Sequence, residues 1–81
     1  MIELTSVNAG DYKRGLYPAV VRKALRTNGF ENAGTVRGEE QWKHNKHPDI
    51  SVSFNGRREN VEHEKLMEIA DALKKIEERK N

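Results

Sequence analysis

The chain reads as a small α+β domain of order α-β-β-β-α, a three-stranded antiparallel sheet with two helices packed on one face. Three stretches predict it. Ile50-Ser51-Val52-Ser53-Phe54 alternates apolar and polar residues, the period of two that sends side chains to opposite faces of a strand. Leu66, Ile69, Ala70, Leu73 and Ile76 recur at the three- and four-residue spacing of an amphipathic helix. Tyr17, Val20, Val21, Ala24 and Leu25 repeat that spacing between Pro18 and Asn28-Gly29-Phe30.

Residues 1 to 16 give the weakest pattern. Ile2 and Leu4 suit a short edge strand or an extended, poorly ordered lead, and Asn8-Ala9-Gly10-Asp11 reads as a turn. The first helix then has clear punctuation. Pro18 fits its first turn, where a missing N–H has no intrahelical partner to lose. Arg22, Lys23 and Arg26 lie toward its C-terminal end, where cations complement the helix dipole. Gly29 can take the left-handed conformation that ends a helix, and Phe30 can fold back on Leu25.

Glu31 to Val36 is a plausible first strand with Gly34 as a weak point, and Gly38 marks the turn into a second strand at Gln41–His44. Asn45-Lys46-His47-Pro48-Asp49 is rich in turn formers and leads into the alternating third strand. Asn55-Gly56 then signals a type I′ turn, after which Arg57–Val61 either returns as a fourth strand or runs on into the last helix. That helix starts near Asn60 or Glu62, with Glu62 and Glu64 at its positive end and Asp71 placed to pair with Lys75. There is no internal repeat and no linker, so residues 1–81 read as one domain.

The composition bounds what such a domain can do. Leu, Ile, Val and Phe total 17 of 81 residues, just enough for a thin core, and no Cys is present to staple it or to bind a metal through thiolate. A core this small can lean on a partner or on a second copy of itself. No apolar run approaches membrane-spanning length and the N-terminus lacks the pattern of a signal peptide, which predicts a cytoplasmic protein without a membrane partner. The net charge is only +2, but its distribution is uneven. Ten basic and seven acidic residues precede position 60, whereas the tail beyond is nearly balanced, so a phosphate-binding face belongs on the body of the domain.

At this point the chain resembles the HicA family of small toxins, which cleave mRNA and share the double-stranded-RNA-binding fold. The likeness covers roughly residues 17 to 76. A first helix ends at Asn28-Gly29-Phe30, as the family's does in Gly and an aromatic residue. Arg37-Gly38-Glu39-Glu40-Gln41-Trp42-Lys43-His44 is similar to the family's strand motif of Gly-Ser-His, an aromatic and a basic-His pair, and the segment from Pro48 to Phe54 with the closing helix fits the remainder. The resemblance implies an RNA-binding protein, an mRNA interferase toxin or an inactive relative of one, with RNA and a cognate antitoxin as partners. One position departs: Glu39 or Glu40 stands where the family has its catalytic His.

Metal-free RNA cleavage needs a base for the 2′-hydroxyl, an acid for the leaving oxygen and a cation for the phosphorane charge. Glu40 is the candidate base and His44 the candidate acid, with His47 as its alternate and Lys43 or Arg37 as stabiliser; the bland reading makes all of them solvated turn and strand residues. Arg37, Lys43, Lys46, His47, Arg57 and Arg58 are the candidate nucleic-acid contacts. Trp42 is either a stacking platform for a base or part of the packing beneath the sheet. His44-x-x-His47 with His63 has the makings of a metal site, but two His flanking a turn are usually loop residues, and neither a metal nor another cofactor is expected. A different class of function competes with all of this: a small protein-interaction module, an inhibitor or accessory factor, docking through a sheet edge or charged face.

Overall fold

Pro18 opens the first helix and Asn28 closes it. In a computed structural model describing residues 2–79, α1 spans Pro18–Thr27, with Tyr17 as its N-cap and Asn28 donating its backbone N–H to the Ala24 carbonyl at 3.2 Å. Gly29 follows at φ 86° and gives its N–H to Arg26 O at 3.1 Å, so the chain leaves the helix directly into a strand. Pro18, Val21, Ala24 and Leu25 form the buried stripe, while Tyr17 stays exposed.

Three strands follow, β1 (Phe30–Val36), β2 (Glu39–His44) and β3 (Ser51–Asn55), paired antiparallel in that spatial order. The β2–β3 register is regular, from Glu39 opposite Asn55 to Lys43 opposite Ser51. The β1–β2 register slips by one residue between Asn32 and Thr35, a bulge at the expected weak point, Gly34. The tight hairpin turn falls at Arg37-Gly38, with φ of 54° and 85°, both positive as a type I′ turn requires.

Asn55-Gly56, where the sequence predicts that turn, does not make one. Neither residue has positive φ. Instead Asn55 Oδ1 accepts the Arg57 N–H at 2.9 Å, an Asx turn that sends the chain away from the sheet. Val61 and Leu16 then exchange backbone hydrogen bonds of 2.7 and 3.1 Å in an isolated bridge, so residues 57–61 form no fourth strand.

The last helix, α2, runs His63–Arg79 and buries Leu66, Ile69, Ala70, Ala72, Leu73 and Ile76. Its Lys75 meets Asp71 at 3.2 Å, as the four-residue spacing predicts. No helix among the described residues is long and apolar enough to cross a membrane.

Of the two readings of Ile2 and Leu4, the edge strand does not form. Leu4 plugs into the core at 2% exposure, and a single turn of 3-10 helix at Ala9–Asp11 buries Ala9 beside it. Burying two side chains through a turn satisfies this segment with local bonds such as Asn8 Oδ1 accepting from Thr5 N–H at 2.8 Å, leaving no need of a sheet partner. The core thus lies between the two helices and the inner face of the sheet, where Phe30, Trp42 and Phe54 are fully covered. The outer face carries Glu31, Lys43 and Ser51 in one row and Gln41 opposite Ser53 in the next.

Candidate nucleic-acid interface

The six cationic candidates divide between the two ends of the sheet. Arg37, Arg57 and Arg58 sit where β1 turns into β2 and β3 leaves the sheet; Lys46 and His47 sit in the opposite turn, between β2 and β3. The six residues of β2 separate the ends by about 20 Å at the usual strand rise. Lys43 lies on the outer face toward the second end, between Glu31 and Ser51.

At the first end, an open groove of about 400 Å³ brings together Arg37, Asn55, Arg58, Asn60 and Lys65, over a floor that includes Phe54 and Val61. Three different devices place these donors. The left-handed turn conformation of Arg37 projects it from the hairpin tip, the Asx turn at Asn55 swings the next residues across the end of the sheet, and the first turns of α2 present Lys65. Glu39 and Glu62 line the same groove; Arg58 Nη1 donates to Glu62 Oε1 at 2.8 Å with both side chains more than 60% exposed. An ion pair so exposed contributes about 0.5 kcal/mol, so a phosphate competes for the guanidinium at little cost.

At the second end, His44 is folded inward. It is 5% exposed, its ring meets Phe30 edge-on at 5.2 Å between centroids, and its Nδ1 accepts the Lys46 backbone N–H at 3.1 Å. The His47 ring lies 5.1 Å away. Burial weighs against the reading of His44 as the acid, because its ring is part of the core wall and a substrate oxygen has little access to it.

Glu40 is likewise engaged. Its carboxylate receives both Arg22 Nε, at 3.0 and 3.1 Å, and Arg22 Nη2, and it accepts Trp42 Nε1–H at 3.2 Å. These donors, the Arg22 guanidinium above all, hold its carboxyl below the usual glutamate range. A carboxylate so held is a poor general base. Trp42 itself is 1% exposed, with the Arg26 guanidinium 5.4 Å from its ring centre, so it packs in the core and is no platform for a base.

His63, the third residue of the conceivable metal set, begins α2 with Nδ1 3.3 Å from the Tyr12 carbonyl oxygen. Among the described residues no three His, Asp or Glu side chains converge. The sequence reading missed Asn55, Asn60 and Lys65 as groove residues and Arg22 as the partner of Glu40. Asn55 carried a turn signal, but Lys65 lay hidden in a charge-balanced tail, and nothing local marks a residue that meets its partner from another element. Comparison with family models, with characterised proteins and with solved structures finds no match for this chain.

Proposed function

We propose that this chain is an RNA-binding protein of the HicA-like type that holds single-stranded RNA in the groove at the Arg37–Arg58 end of its sheet. The observation that carries the reading is the convergence there of three cations and two side-chain amides from separate segments. Cations neutralise phosphates, and the amides of Asn55 and Asn60 supply donors and acceptors for a base or a ribose hydroxyl. An open groove of about 400 Å³ with an apolar floor suits an unstacked nucleotide better than a duplex. Cleavage by Glu40 and His44 is no part of the proposal, because Arg22 already holds the Glu40 carboxylate and the His44 ring is buried.

The test is a titration of labelled oligouridine and of an RNA hairpin at two salt concentrations. Binding of the single strand should weaken with salt, by a log–log slope of about −0.7 for each phosphate neutralised. Arg37→Ala with Arg58→Ala should abolish most of it, and Lys43→Ala with Lys46→Ala, at the other end, should cost less. Salt-independent binding, or equal losses in the two double variants, would refute the assignment of this groove.

A further inference from the structure

The sheet has a second feature that the RNA groove does not use. β3 is an outermost strand, and α2 runs beside its free edge, leaving an open groove of about 390 Å³ between them. We infer that this groove binds an extended, uncharged peptide segment of another protein, which adds to β3 as a fourth strand. The two grooves have only Lys65 in common, so this inference stands apart from the RNA reading.

The backbone supplies the first half of the argument. His44 N–H donates to Ile50 O at 3.1 Å, which fixes the alternation along β3. Val52 and Phe54, opposite Trp42 and Glu40, then turn their backbone groups toward β2. Ser51 and Ser53 turn theirs outward, two N–H and two C=O groups along the free edge. Among the described residues, no turn or loop hydrogen bond reaches these four groups. A row of outward donors and acceptors at strand spacing recognises one thing well, another extended backbone.

The helix supplies the second half. Val52, Ile69 and Ala72 give the groove an apolar floor, and the small Ala72 side chain leaves room above the helix for a neighbour's residue. An added strand sets alternate side chains onto this floor and the others beside Ser51 and Ser53, so a segment with small apolar residues at every second position fits.

Charge decides among occupants. Six charged residues line the groove, and they close into three pairs within it: Arg79 with Asp49 at 2.7 Å, Lys65 with Glu68 at 3.1 Å and Lys75 with Asp71 at 3.2 Å. With three cations balanced by three carboxylates the groove is neutral as a whole, so a polyanion gains no net attraction there. In a second copy the β3 edge comes with the charged wall of its own α2 beside it, which a free peptide does not carry. A neutral peptide asks for no complementary charge.

The probe is a short, end-capped peptide alternating Val and Thr, titrated into the amide-labelled full chain and followed by NMR. The Ser51 and Ser53 amides should shift and gain protection from hydrogen exchange, together with residues on the Ile69–Ala72 face of α2. Methylating alternate backbone nitrogens of the peptide should abolish binding with the protein untouched. Ser53→Pro removes one outward N–H without touching the ladder to β2, and should weaken binding by about three- to tenfold, the worth of one backbone hydrogen bond. Absence of shifts at Ser51 and Ser53, or equal affinity for the methylated peptide, would overturn the inference. So would protection of those amides by raised protein concentration alone or by oligouridine, which would assign the edge to a second copy or to RNA.

Discussion

Arg22 on α1 and Glu40 on β2 form a two-pronged pair that joins helix to sheet. Both Nε and Nη2 of Arg22 bond the carboxylate, and Nη2 also donates to the Gly56 carbonyl at 3.3 Å, while Trp42 Nε1 reaches the same carboxylate from beneath. One ion pair thus ties α1, the middle strand and the loop after β3. The Glu40 side chain is only 14% exposed, which shelters the pair from the screening that makes surface bridges weak.

Glu40→Ala should therefore destabilise the domain by about 2 kcal/mol, since it strands a half-buried guanidinium and an indole N–H. Arg22→Ala should cost a similar amount, and the double variant should cost clearly less than the two single losses added together, which urea unfolding of all four proteins would reveal. Additive losses would mean that the two residues act independently.

The same pair sets a pH dependence. Bonds from Arg22 keep the folded-state value of Glu40 below its unfolded value, so the carboxylate contributes stability above the ordinary glutamate range and loses it as pH falls through the lowered folded value. Between about pH 7 and about pH 3 the wild type should lose more stability than Glu40→Gln, which has no proton to take up. Parallel stability curves for the two proteins would contradict this.

Gly56 is the position where backbone and ion pair come closest. A Cβ built on it lies 1.7 Å from Glu40 Oε2 and 2.6 Å from Arg22 Nη2, so any side chain there must push the pair apart. Gly56→Ala should lower stability by about 1–3 kcal/mol, the usual cost of overpacking, and should cost much less in the Glu40→Ala background. Thermal unfolding of the two backgrounds is the measurement; equal losses would show that the clash is relieved elsewhere.

Arg37 separates stability from binding. It holds φ 54° in the hairpin turn, a conformation that costs a non-glycine residue about 1 kcal/mol and that Asn accepts more readily. Arg37→Asn should raise the melting temperature while weakening oligouridine binding. A loss of both would mean the arginine side chain supports the fold, and a gain in stability with unchanged binding would remove Arg37 from the RNA groove.

Trp42 reports on the same question from within. Because its ring is covered and its N–H is bonded to Glu40, its fluorescence should change on unfolding and stay constant when RNA is added. Quenching by RNA in the folded protein would place a base against the indole and contradict the packing role.

Much of the fold was legible because periodicity encodes burial directly. The stripe from Leu66 to Ile76 could bury its apolar side only as a helix, and Ile50, Val52 and Phe54 could share one face only as a strand. Pro18 and Gly29 bounded the first helix through local sterics alone, and Lys75 found Asp71 because both stand on one helix face. These are short-range consequences of backbone geometry, and no distant residue can undo them cheaply.

Tertiary structure decided everything that depends on which elements meet. Asn55-Gly56 had the chemistry of a hairpin turn, yet Val61 bridges Leu16, so the chain leaves the sheet there and leaves one edge of β3 unpaired, while the turn marked by Gly38 is the one that takes the positive-φ hairpin form. Glu40, His44 and Trp42 looked like a reactive cluster in sequence. Packing gave the first to Arg22 from α1, the second to Phe30 and the Lys46 backbone, and the third to the core. The cations scattered along the chain gained their grouping only when folding placed Arg37, Arg58 and Lys65 at one end of the sheet and Lys46 and His47 at the other. Local propensity shapes each element, but a polar side chain's role is set by the partner that folding brings within hydrogen-bond reach, and that partner is 18 residues away for Glu40.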